Sequence, residues 1–102
     1  MKFDAILTTT GRTAVIALHG TLDESSEGEF QERVDQAGEL DIAELVIDMT
    51  ELRELTAVGV RSVAYGCQRT ADEVQLVITA PAGPVRETLL AADFIDGVSI
   101  RE

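Results

Sequence analysis

The chain is poor in the residues that many chemistries need. It holds one cysteine, Cys67, which excludes an intrachain disulfide and any cysteine-based metal cluster. Tryptophan is absent and aromatics are few (Phe3, Phe30, Tyr65, Phe94), so Val, Ile, Leu and Ala must supply most of the core. No apolar run approaches the roughly 20 residues that span a bilayer. Met1-Lys2-Phe3-Asp4 lacks the long apolar stretch of a signal peptide, so the expected location is cytoplasmic. Cations are scarce as well: 8 Lys and Arg stand against 19 Asp and Glu, for a net charge of −11. Twelve acids lie between Asp23 and Glu54, opposed there only by Arg33 and Arg53. Such a surface repels phosphate backbones and anionic headgroups, which argues against nucleic acid and membrane as partners. A basic or neutral protein partner fits better, and solubility alone is the plainer account of the acidity.

What is present is ordinary for a folded protein. At 102 residues, with 45% hydrophobic and 26% charged, the chain is expected to form a single domain over 1–102. Phe3, Ala5 and Leu7 alternate as a half-exposed strand, Thr9-Thr10-Gly11-Arg12 reads as a turn, and Ala14–Leu18 as a second strand buried on both faces. Gly20-Thr21-Leu22-Asp23 ends that strand. Ser25 or Ser26 can cap a helix that carries Phe30, Val34 and Ala37 at helical spacing and stops near Gly38. Leu45-Val46-Ile47 is a third buried strand. A second helix carries Val60, Val63, Ala64 and Cys67 on its inner face. Val74, Leu76, Val77 and Ile78 form a fourth strand, Val85, Leu89 and Ala92 lie on a third helix, and Val98–Ile100 closes the chain. The order is β-β-α-β-α-β-α-β: an α/β fold with a mostly parallel sheet and an antiparallel N-terminal hairpin strand. Function in such folds usually sits in strand-to-helix loops, here 20–26, 50–57 and 79–83.

The order and its punctuation resemble the STAS family, the fold of bacterial anti-sigma factor antagonists and of the cytoplasmic tails of sulfate transporters. Gly20-Thr21-Leu22-Asp23 is similar to the family's Gly-x-Leu-Asp. Leu45-Val46-Ile47-Asp48-Met49, followed by Leu52, is similar to its central strand, and Ala91-Ala92-Asp93-Phe94 to its last helix. The family signature is Asp-Ser-Ser/Thr-Gly at the start of the second helix, with the first serine phosphorylated by a partner kinase. Carried over, the glycine falls on Gly59 and the second Ser/Thr on Val58. The phosphorylated serine falls on Ala57 and the aspartate on Thr56. Only the glycine is retained, and alanine has no hydroxyl to modify.

The resemblance thus implies a non-enzymatic regulatory module that docks on an anti-sigma factor, a partner of serine-kinase-like ATPase fold. The partner surface would hold Asp23, Thr56, Ala57, Val58, Gly59 and Arg61, without the usual switch. Thr56 can be read as a helix cap or as a displaced phosphorylation site, and Asp23 as a turn former or as part of the partner surface. The other reading is a scaffold subunit of an ABC phospholipid-transport or stress-signalling complex, in contact with an ABC ATPase. No cofactor is expected: His19 has no second imidazole, Cys67 reads as an inert core thiol, and no glycine-rich phosphate loop or catalytic spacing occurs.

Overall fold

The computed structural model describes residues 3–70, 72–91 and 98–101. The elements are β1 (Asp4–Thr10), β2 (Thr13–Leu22), α1 (Glu27–Gly38), β3 (Glu44–Leu55), α2 (Ala57–Arg69), β4 (Gln75–Thr79), α3 (Pro84–Ala91) and β5 (Val98–Arg101). They follow the expected order. Ala92, Asp93 and Phe94 lie outside the described residues.

β1 and β2 pair antiparallel from Asp4↔His19 to Thr10↔Thr13. Gly11 occupies the first position of the two-residue turn at a φ of 61°, which the tight turns of hairpins demand and glycine adopts without cost. The remaining pairings are parallel, in the order β1-β2-β3-β4-β5. Each crossover therefore steps one strand the same way, and crossovers of one hand place their helices on one side of the sheet. One core follows from this. Ile16, Leu18, Leu45, Ile47 and Ile78 meet Phe30 and Val34 of α1, Val63 of α2 and Leu89 of α3.

That arrangement corrects the expectation of strands buried on both faces. On β2, Ala14, Ile16 and Leu18 are buried, whereas Val15 and Ala17 are half-buried on the helix-free face. β3 alternates in the same way as far as Met49. The outer edge of β1 is also occupied. Glu29 of α1 accepts a hydrogen bond from the Ala5 N–H at 3.0 Å, and the Arg33 Nε donates to the Ala5 carbonyl at 3.0 Å.

β2 and β3 both outrun their expected ends. β2 continues through Gly20, at φ 87°, to Leu22. The segment expected as a loop from Thr50 to Ala57 is strand as far as Leu55. Two register shifts against β2, between Ala17 and His19 and between Gly20 and Thr21, each insert one extra β3 residue. The inward residues become Met49, Leu52 and Leu55, all buried, with Thr50, Glu51, Arg53 and Glu54 exposed between them.

Candidate functional site

The ends of β2 and β3 bring the candidate residues to one rim of the sheet. The Leu22 carbonyl accepts from the Thr56 backbone N–H and from the Thr56 hydroxyl, both at 3.2 Å. The same hydroxyl accepts from the Gly59 N–H at 3.1 Å. Thr56, in extended conformation, is thereby the N-cap of α2 and satisfies one of its unpaired amides. Gly59 explains why α2 can start so near β2. A Cβ there would lie 2.3 Å from the Leu22 carbonyl oxygen and 3.0 Å from Leu55 Cδ1, so only glycine fits.

Asp23 follows Leu22 directly, and two serines fix it. Its Oδ1 accepts from the Ser25 N–H at 2.9 Å, the Ser25 hydroxyl at 2.7 Å and the Ser26 hydroxyl at 3.2 Å. The Ser25 side-chain bond foremost, with the other bonds from Ser25 and Ser26, outweighs partial desolvation and holds the carboxyl below its usual range. Ser26 occupies the N-cap position of α1, but its hydroxyl makes no bond into that helix. It donates to the Thr21 carbonyl at 2.8 Å and accepts from the Asp23 N–H at 2.9 Å, closing the turn instead of capping.

Six residues thus share the rim in distinct roles. Gly59 is buried and sets spacing, Thr56 is half-buried and caps, and Asp23 is half-buried in its serine turn. Ala57 and Arg61 are exposed one helical turn apart, and Val58 is half-buried beside them. Among the described residues Arg61 forms no ion pair. α2 contains no acid at all, while Glu24, Glu51 and Glu54 stand exposed on the flanking segments. The sequence places Leu22 in the Gly-x-Leu-Asp resemblance but does not show that its carbonyl anchors the site, because a backbone acceptor leaves no mark on residue type.

Two other candidates lie away from this rim. His19 sits on β2 in register with Asp4 on one side and Glu51 on the other, and its Nδ1 is buried without a hydrogen-bond partner among the described residues. Cys67 is half-buried rather than fully inward, and burial pushes its thiol up to about 11, so it stays protonated at neutral pH. The inner arc of α2 is instead turned toward α1. There Gln31 Nε2 donates to the Ser62 carbonyl at 2.7 Å and its hydroxyl at 2.8 Å, and Gly66 lets Phe30 and Val34 approach. Ala64 is accordingly half-buried. No helix among the described residues is long and apolar enough to cross a membrane.

The profile of the STAS domain family matches residues 4–102. The chain belongs to the STAS domain family. Solved structures agree on the fold. An anti-sigma factor antagonist from Mycobacterium paratuberculosis superposes with a TM-score of 0.89 at 14% identity, over 98% of this chain and 86% of that one. The anti-sigma factor antagonist SpoIIAA in its unphosphorylated form gives 0.73 at 18% identity, over 97% and 88%. The Bacillus cell fate determinant SpoIIAA in the phosphorylated form gives 0.71 at 17% identity, over 97% and 92%. At these identities the likeness is one of fold. No curated protein matches the chain. Within the STAS frame, the retained glycine of the signature is the position where a Cβ would strike backbone.

Proposed function

We propose that this STAS chain is a single-domain, non-enzymatic regulatory module of the anti-sigma factor antagonist type. It docks on an anti-sigma factor of serine-kinase-like ATPase fold through Asp23 and the 56–61 segment, and it lacks the serine switch. The observation that carries this reading is Ala57: the first residue of α2, exposed, and without a hydroxyl. A phosphate at a helix start would be well received by free amides and would add roughly −1.5 to −2 charge to the docking surface. Ala57 leaves that position permanently uncharged. Thr56 supplies the neighbouring hydroxyl, and its bonds to Leu22 and Gly59 support the cap over the phosphate acceptor.

Binding to the anti-sigma factor that copurifies with the full chain tests this. Wild-type affinity is expected to be the same with and without ATP, with no phosphate on Thr56 by mass spectrometry. Ala57→Asp should weaken binding at least tenfold. An Ala57→Asp protein that binds normally, or phosphate found on Thr56, would overturn the reading.

A further inference from the structure

A cavity of about 570 Å³ opens at the end of the sheet where β3 and β4 begin, between the C-terminal ends of α1 and α2. Leu45 lines it and Leu55 packs at the opposite rim; their β2 partners Ala14 and Leu22 are eight residues apart, so at about 3.3 Å per residue it lies on the order of 25 Å from the α2 start. The site is independent of the docking surface described above.

Its floor is apolar, formed by Val34, Ala37, Ile42, Leu45 and Val74. Leu40 stands in its wall and remains 41% exposed, which extends the apolar surface to the mouth. The charged groups around it are unequal: two guanidiniums face four carboxylates. Both guanidiniums are engaged. Arg12 pairs with Asp41 at 3.0 Å, and Arg69 pairs with Asp35, donates to the side-chain Oε1 of Gln31 at 2.6 Å and lies over the Tyr65 ring. Glu39 and Glu73 have no cation among the described residues. α1 carries no base in its last turn, so its negative dipole end adds to theirs. The volume falls in the range of small-molecule sites, which are mostly apolar with a few placed polar groups.

The geometry points to a binding site for a small amphipathic cation, an apolar body carrying one amine. The apolar part fills the floor against Leu40, and the ammonium meets Glu39 and Glu73. An anion of the same shape is disfavoured, because four carboxylates outnumber the two guanidiniums at the rim.

Amide chemical shifts of the full chain, titrated with 4-phenylbutylamine and separately with 4-phenylbutyrate, test this. The amine should give saturable shifts confined to residues 12, 34–45, 69, 70, 73 and 74. The midpoint should be about 1 mM or below, the range a ligand of that size reaches. The carboxylate should give none. Glu39→Gln with Glu73→Gln should weaken the amine about fivefold, as two exposed ion pairs allow, without lowering the unfolding midpoint. Leu40→Ser should weaken it independently through the apolar wall. Scattered or unsaturable shifts, equal binding of the carboxylate, or undiminished binding by the double variant would each overturn the site. So would binding of a lysine-rich peptide where the amine is inert.

Discussion

A methyl group added at Gly59 would sit 2.3 Å from the Leu22 carbonyl oxygen, whereas one added at Gly66 would meet Val34 Cγ2 at 3.3 Å and Phe30 Cε2 at 3.4 Å. Gly66 is an interior helix position, where alanine is worth about 1 kcal/mol over glycine, and Gly59 lies in the first turn of α2, next to its Thr56 cap. At Gly66 the neighbours are side-chain tips that can yield, so gain and crowding nearly cancel. At Gly59 the obstacle is backbone, and the end of β2 must part from α2. Gly59→Ala should therefore be less stable than Gly66→Ala by about 2 kcal/mol or more in urea unfolding; equal midpoints would disprove the close approach. Asp23 offers a second test. Its folded pKa is depressed by the serine hydrogen bonds, so its stabilising effect is whole above the ordinary carboxyl range and disappears as pH falls through the lowered value. Asp23→Asn keeps an acceptor in the turn but cannot titrate. Unfolding midpoints of the variant should fall less steeply than those of the wild type below about pH 4, and parallel curves would refute the assignment.

The second half of β3 shows why an element can hide. α1 announces itself by Phe30, Val34 and Ala37, all buried as their spacing requires, and α3 by Val85 and Leu89. Residues 49–55 neither alternate nor follow a helical period, because two bulges place the inward side chains three apart. A strand template fails there for a geometric reason. If the bulged segment is truly a core strand, Leu52→Ala and Leu55→Ala should each cost about 2–4 kcal/mol, while Glu51→Ala and Arg53→Ala stay within about 0.5 kcal/mol. Small losses at both leucines would restore the loop. At the site, the Thr56 cap was readable, since threonine before a helix has a local meaning. The spacer role of Gly59 was not, because what it must avoid is a carbonyl on a distant strand.

For the whole molecule, the order of strands and helices was legible but their layering was not. A short apolar run such as Ala14–Leu18 cannot say whether one face or two is covered, and the answer lies in three crossovers stepping the same way. The same stepping leaves β1 at the margin of the sheet, with main-chain groups available to a newcomer. Glu29 and Arg33, one turn apart on α1, have already taken the Ala5 donor and acceptor. So placed, they are expected to plug this point of the edge against recruitment of a foreign strand, a hazard that natural sheets counter at their margins. With Glu29→Ala and Arg33→Ala together, the chain should still fold yet begin to self-template, giving higher-order species in sedimentation velocity and a rise in thioflavin fluorescence. A double variant that stays monodisperse would mean the plug guards nothing. If it guards as the geometry indicates, two side chains, and not the repulsion of a net charge of −11 alone, keep a second strand off this edge.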